Sequence, residues 1–363
     1  MSNKIFLDLH HIRNTKKGFG QYALNLAKGI LQNDTDGLNL YYYVPLKWYK
    51  RLSNSINYKI YLGLHRRRNN FNNYDVWHSL THLSKVEPQD LEKTKIIYTV
   101  HDAIFTIINI SEEKRQPSIK KLQRQIDKSS CLVFISKFTQ DCIRKNFTIN
   151  DNIQQYVIYN GNPMEGVKPI ISTSNDQPYL LCVGEYRKYK NHAALIPMLS
   201  HLKENINLVF MGKYSKENQE KILSLAKEHK VENRIIFKAS VSERKKIELY
   251  SNAEGLVHPS LAEGFGFPVV EAMSLGIPVF ISNNTALPEV GGTAAHYWDH
   301  YEPEYMAKIV TEGLEDFRKN KETRKQELLL QASKFSWKNI SKQYLEVYKA
   351  VLNNTPASIN KLN

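Results

Sequence analysis

The segment His258-Pro-Ser-Leu-Ala-Glu-Gly-Phe-Gly-Phe-Pro-Val-Val-Glu-Ala-Met-Ser-Leu-Gly-Ile-Pro278 decides how this chain reads. It joins one short apolar run, Gly255–His258, to a second, Pro278–Ser282, through a stretch of helix length. Pro268 suits the first helical position, because its missing N–H would have no intrahelical partner there. Gly276 suits the residue after the last turn, where a left-handed conformation closes helices. A helix over Pro268–Leu275 is therefore expected, its N-terminus facing the loop before it. Gly264 and Gly266 permit a tight turn and close backbone approach to a ligand. The free amides and positive dipole end of that helix form an anion site that a diphosphate fits. Glu263 precedes the turn, and Glu271 is expected in the first helical turn. A carboxylate can accept two sugar hydroxyls at once, as ribose is commonly held. Complementing the helix dipole would account for one glutamate. Two glutamates eight apart, with two glycines, Pro268 and the Gly-Ile-Pro ending, form a far more specific pattern.

Strand-like and helix-like runs alternate on both sides of this segment. Strands are expected at Lys4–Leu9, Leu38–Val44, Val76–Ser79, Ile96–Val100, Leu132–Ser136 and Tyr156–Tyr159. The rhythm restarts at Tyr179–Gly184, Leu208–Gly212 and Arg234–Lys238. Helices are expected at Phe19–Leu31, Asn218–His229 and Glu243–Asn252, where apolar residues recur at helical spacing. Such alternation implies parallel sheets covered on both faces, an α/β fold. A chain of 363 residues exceeds the roughly 100–200 of one domain. Asn162–Pro178 carries three prolines and no helical period, and reads as the linker between two doubly wound domains. The expected division is 1–162, a linker over 163–178, and 179–337. Trp337–Leu352 reads as an amphipathic helix with Ile340, Tyr344, Val347, Tyr348 and Val351 on one side.

Composition excludes other classes. Hydrophobic residues make up 42% of the chain, too many for a disordered one. Three cysteines exclude a disulfide scaffold, and no Cys-x-x-Cys points to zinc. No apolar stretch approaches the roughly 18 residues that a spanning helix needs. The N-terminal apolar run is too short for a secretion signal. A cytoplasmic, non-spanning protein is expected. The net charge is +14, and residues 1–160 hold 24 Lys and Arg against 13 Asp and Glu. Such a field attracts nucleic acid, anionic lipid or phosphorylated ligands. Tyr41–Leu52 mixes aromatics with cations as interfacial segments do. Arg66-Arg67-Arg68 and Ser118–Lys128 add charge. The expectation is a domain that docks on an anionic cytoplasmic leaflet. A nucleic-acid binder is favoured by charge alone, and no nucleic-acid module is present.

Taken together, these segments resemble the retaining glycosyltransferases of family 4, the group 1 glycosyl transferases. The Glu263–Glu271 segment resembles their Glu-x7-Glu signature. Gly18-Phe-Gly20-Gln-Tyr resembles the glycine-containing loop after the first strand, and Thr99-Val-His-Asp102 the strand-end His-Asp. Ile135-Ser-Lys-Phe-Thr139, Ile158-Tyr-Asn-Gly161, Val183–Asn191, Ala286–Val290 and Phe335-Ser-Trp337 follow in the family's order. The resemblance implies the GT-B fold: two Rossmann-like domains facing a central cleft, with the C-terminal helix, here within 338–363, returning to the N-terminal domain.

The resemblance further implies that the N-terminal domain binds the acceptor and the C-terminal domain the nucleotide-sugar. Activity would be retaining transfer of a hexose, without metal or other cofactor, to a glycan or lipid-linked acceptor in cell-surface polysaccharide assembly. Glu271 would bind the donor ribose, and Glu263 hydroxyls of the donor sugar. Gly264, Phe265 and Gly266 would line the diphosphate or sugar through their amides, with Gly18 and Gly20 opposite. Arg187 and Lys190 would hold the departing diphosphate in place of a metal. Many members carry an arginine directly before Lys-Asn, where this chain has Tyr189, so Arg187 takes the arginine role by chemistry and Lys188 competes with it. His101 would position the sugar, whereas His258 reads as structural. Tyr-Lys-Asn and Leu-Pro-Glu-Val stretches occur in members that use GDP-mannose, which makes mannose the offered sugar and leaves UDP-linked donors open. A nucleotide-sugar epimerase on the same fold is the alternative.

Overall fold

The structure, a computed structural model, describes residues 3–15, 18–62, 65, 73–81, 86, 93–172, 177–202 and 205–359. The chain forms two compact units, Met1–Pro163 with Phe335–Asn363, and Met164–Lys334. Among the described residues, the first unit holds strands β1 (Lys4–Asp8), β2 (Asn39–Val44), β3 (Asn57–Ile60), β4 (Val76–Ser79), β5 (Lys95–Val100), β6 (Cys131–Phe134) and β7 (Gln154–Val157). Helices α1 (Gly18–Ile30), α2 (Glu112–Asp127) and α3 (Lys137–Asn146) connect them. The second unit holds β8 (Tyr179–Val183), β9 (Asn207–Met211), β10 (Ile235–Lys238), β11 (Gly255–His258), β12 (Val279–Ser282) and β13 (His296–Trp298). Its helices are α4 (Leu195–His201), α5 (Lys216–Glu228), α6 (Glu243–Ser251), α7 (Phe267–Ser274), α8 (Leu287–Gly291), α9 (Pro303–Lys319) and α10 (Lys321–Ser333). The last helix, α11 (Trp337–Asn353), belongs to the first unit.

Both sheets are parallel throughout. The first runs β3-β2-β1-β4-β5-β6-β7, the second β10-β9-β8-β11-β12-β13. Strands covered on both faces need unbroken apolar runs, and Ile5, Phe6 and Leu7 of β1 are all fully buried. Each such side chain contributes about 1.5–3 kcal/mol on burial. The strand order reverses at β1/β4 in one sheet and at β8/β11 in the other. At these points adjacent loops diverge and leave a crevice outside the strands' C-terminal ends, where ligands bind in such folds.

Helix α11 is tied to the first unit by close packing and by a buried polar network. A Cβ on Gly29 of α1 would lie 2.6 Å from the Trp337 carbonyl oxygen, so only glycine lets the two helices approach this closely. Tyr22 donates from its hydroxyl to Tyr344 at 2.6 Å. His78 bonds Tyr348 through Nδ1 at 2.7 Å and Thr99 through Nε2 at 2.9 Å. Burial pushes the His78 pKa down to about 3, which keeps the ring neutral. A neutral imidazole has one donor and one acceptor nitrogen, and both are used here.

Several expectations change. The edge strands β3 and β13 are short and half-buried, with no apolar run to mark them. The stretch expected as a linker lies along the second unit. Its Ile170 and Ser172 amides donate to Ser251 Oγ and Asn252 Oδ1 at the end of α6. The first part of the aromatic-cationic segment Tyr41–Leu52 is not a surface, because Tyr42, Tyr43 and Val44 are fully buried in β2. Only its second half is exposed, with Leu46 at 69% and Tyr49 at 42%. Arg66-Arg67-Arg68 lies outside the described residues. Cys131, Cys142 and Cys182 are all buried and free. Among the described residues no helix is long and apolar enough to cross a membrane.

Candidate active site

The second unit gathers its chemistry at the β8/β11 reversal. Past β8 the chain turns through Arg187 into a short 3-10 turn, Lys188–Lys190, which ends on Asn191 in the left-handed region (φ 53°). Asparagine tolerates that conformation better than most residues. The turn directs the Lys190 ammonium onto Glu263 Oε1. His258, the last residue of β11, donates from Nε2 to the same oxygen at 2.7 Å, and Ser260 donates from Oγ at 2.7 Å. Behind the carboxylate, the Glu263 amide donates to Thr285 Oγ1 at 3.1 Å. Three side-chain donors thus converge on Oε1. No described group hydrogen-bonds Oε2.

Electrostatics follow from this convergence. Burial alone would raise the Glu263 pKa. The Lys190 charge and the bonds from His258 and Lys190 override it and hold the carboxyl well below the usual range. Burial would likewise lower the Lys190 pKa, but the Glu263 carboxylate keeps it raised. The pair is therefore ionised and mutually dependent. His192 lies behind it, bonded through Nδ1 to the Tyr214 hydroxyl at 2.7 Å. Burial pushes its pKa down to about 3.

The glycine loop and α7 match the expected geometry with one correction. Gly266 caps α7 at φ 109°, a left-handed value that favours glycine. Gly276 follows the helix at φ 72°. No side chain caps the α7 N-terminus, so its free amides face the loop. Phe265 is buried and packs edge-on against Phe267, with ring centroids 5.3 Å apart. The helix starts at Phe267, and Glu271 consequently falls in the second turn rather than the first. There it is buried at 5% exposure, with Lys246 Nζ on Oε1 at 2.6 Å and the Tyr250 hydroxyl on Oε2 at 2.7 Å.

Other expected site residues part company with this cluster. Arg187 is exposed and pairs with Glu185 at 3.3 Å, and Lys188 is exposed too. Of the three candidate cations, the fold brings Lys190 to Glu263. His258, read from sequence as structural, is a direct partner of Glu263; its place at a strand end five residues before the glutamate was the available signal. Lys246, Tyr250 and Ser260 had no such signal, because helix packing and loop curvature bring them in.

In the first unit, Gly18 and Gly20 do not form a loop but the first turn of α1. A Cβ on Gly20 would lie 2.0 Å from the Asn14 carbonyl oxygen, so this glycine serves packing against the preceding 3-10 turn. His101 follows β5, is buried, and donates from Nε2 to the Leu80 carbonyl at 2.7 Å. Its ring stands edge-on to Phe19 and Tyr22. Asp8 and His10, unremarked in the sequence, form a buried pair at the end of β1, Nδ1 to Oδ1 2.6 Å. The chain's Asp34-Thr35-Asp36 lies in the turn after α1, where Asp36 pairs with Lys349.

Comparison with known proteins agrees with this architecture. Residues 165–327 match the model of the family described as glycosyl transferases group 1. The O-antigen chain mannosyltransferase B of Escherichia coli is 41% identical over 101 residues, 28% of this chain and 26% of that protein. The serotype-specific mannosyltransferase WbdA, also of Escherichia coli, is 29% identical over 199 residues, 53% of this chain and 24% of that protein. The matched stretches thus span about a quarter of those relatives' length. HepE of Anabaena, solved in complex with UDP and glucose, superposes with a TM-score of 0.69 at 16% identity, covering 96% of this chain and 100% of that one. Two parallel doubly wound sheets, with a Glu-x7-Glu loop-helix at one sheet's reversal point, give the chain the GT-B fold, and its second unit is similar to the glycosyl transferases group 1 family.

Proposed function

We propose that the chain is a retaining glycosyltransferase that needs no metal. It moves a hexose, mannose by the favoured reading, from a nucleotide-sugar to a glycan or lipid-linked acceptor in cell-surface polysaccharide assembly. One observation carries the reading. Glu263 is anchored through Oε1 by Lys190, His258 and Ser260, beside the uncapped N-terminus of α7. The mannosyltransferase names of the relatives and the UDP and glucose of the HepE structure support donor and sugar class.

In this mechanism Glu271 accepts from the donor ribose, and Glu263 Oε2 accepts from a hydroxyl of the donor sugar. The bond from the anomeric carbon to the diphosphate oxygen breaks, and its electron pair leaves with the diphosphate. The acceptor oxygen bonds the same face of that carbon, and the acceptor's proton passes to the departing phosphate. Lys190 and the α7 amides stabilise the developing charge, because they are fixed before it forms. Lys190 shares its charge with Glu263 rather than standing as a lone cation, so both residues act as one unit. His101 takes a sugar-positioning role on the same reading.

The first unit would meet an anionic cytoplasmic leaflet through exposed Lys114, Lys120, Lys121 and Arg124 of α2 and the exposed turn at Leu46–Arg51. Co-sedimentation with anionic but not neutral vesicles is expected.

Turnover of GDP-mannose and UDP-hexoses with lipid-linked acceptor, in EDTA, tests the main reading. The product's anomeric configuration should match the donor's. Donor epimerisation without acceptor would favour the epimerase alternative, and complete loss of transfer in EDTA would refute metal independence.

A further inference from the structure

Glu271 is held by two residues of a neighbouring helix, and neither belongs to the Glu-x7-Glu segment. Lys246 and Tyr250 stand four apart on α6 and so project from one face of it. Lys246 Nζ donates to Oε1 and Tyr250 to Oε2, at 2.6 and 2.7 Å. Tyr250 is fully buried, and its phenol is pushed well above its usual range by burial and then by the Glu271 charge, so it stays a donor. The Lys246 ammonium also lies 6.0 Å from the centre of the Tyr250 ring. The side chains of Lys246 and Glu271 are 18% and 6% exposed.

This arrangement has a geometric consequence. An ionised carboxylate offers about four lone-pair positions, two per oxygen. The two helical donors use one on each oxygen and leave one on each oxygen open. With both oxygens tied to α6, the last torsion of the glutamate cannot turn. What remains is a pair of acceptors at fixed separation and fixed orientation, a match for two adjacent hydroxyls. Without its donors the buried carboxylate would be costly to keep charged.

We propose that Lys246 and Tyr250 are positioning residues. They lock Glu271 as a two-pronged acceptor for the vicinal hydroxyls of a nucleotide ribose, and thereby make the site select ribonucleotides over 2′-deoxyribonucleotides. The proposal rests on the donor-site reading of Glu271.

Calorimetric titration of the full chain with GDP, UDP and their 2′-deoxy counterparts tests it. The wild type should bind its preferred ribonucleotide about 10- to 100-fold more tightly than the deoxy form, the range for one hydrogen bond to a charged group. Lys246→Met and Tyr250→Phe should each reduce that ratio to about threefold or less, while Lys246→Arg should keep it within about threefold of wild type. A merely structural role would weaken both nucleotides equally and leave the ratio intact. Tyr250→Phe removes one oxygen and no charge, so it decides the matter if Lys246→Met does not fold. Suppose Glu271→Gln abolishes the preference but Lys246→Met and Tyr250→Phe retain it. The positioning proposal is then overturned and the donor-site reading stands. If Glu271→Gln retains the preference, or the wild type shows none, the donor-site reading fails and the proposal falls with it.

Discussion

Replacing Lys190 with methionine removes the ammonium bonded to Glu263 but keeps most of the side chain's volume. Glu263 is left with His258 and Ser260 as side-chain donors to a carboxylate whose side chain is 12% exposed. Breaking one partner of a buried ion pair costs about 3–5 kcal/mol. The two remaining donors place the expectation near the lower limit, about 3 kcal/mol. At about 2–4 °C per kcal/mol for a unit of this size, melting should fall by about 6–12 °C. Lys190→Met combined with Glu263→Gln should recover much of that loss, because no unpaired charge is then buried. Coupling between the two substitutions should be about 2 kcal/mol.

The loss should also depend on pH. The Glu263 carboxyl is held below its unfolded value, so the unfolded chain binds its proton first as pH falls. The pair's stabilisation is therefore full above about pH 5 and fades below about pH 4. The Lys190 pKa is raised, so its contribution is present at neutral pH and is lost only as pH rises through the folded-state value, above about 10. Wild type and Lys190→Met should thus differ most between about pH 5 and 9 and converge only as pH falls well below about 4. Thermal melts across that range, with the double-mutant cycle at pH 7, supply the measurement. A gap independent of pH, or coupling under about 0.5 kcal/mol, would refute the reasoning.

Three further outcomes are expected. Glu271→Ala should abolish the stabilisation by saturating nucleotide, about 2.7 kcal/mol at 100 times the dissociation constant, seen by thermal shift. Tyr348→Phe deprives the buried His78 Nδ1 of its partner and should cost about 1–3 kcal/mol in urea unfolding, with donor binding in the second unit unchanged. Gly20→Ala places a Cβ 2.0 Å from a backbone oxygen that has no flexible end to move, and should destabilise the first unit by about 1–3 kcal/mol or more in the same assay.

Local chemistry accounts for what could be read from the chain alone. Unbroken apolar runs such as Ile5-Phe-Leu7 and Gly255–His258, alternating with helix-length segments, imply parallel sheets whatever their order, because only doubly covered strands are apolar on both faces. Pro268, Gly266 and Gly276 mark the ends of α7 to within a residue, since each acts through its own backbone. The Glu263–Glu271 spacing pointed to both carboxylates for the same reason. Which cation meets Glu263 was not legible. The resemblance gave Lys190 and Arg187 one role at the diphosphate, and only the folded turn ending at Asn191 places Lys190 on Glu263 while Arg187 stays in water. Nor could sequence spacing find Lys246 and Tyr250, which reach Glu271 from α6, or recognise that Gly20 makes room for the preceding turn. Side-chain partners separated by tens of residues depend on how elements pack, and packing is a property of the folded whole.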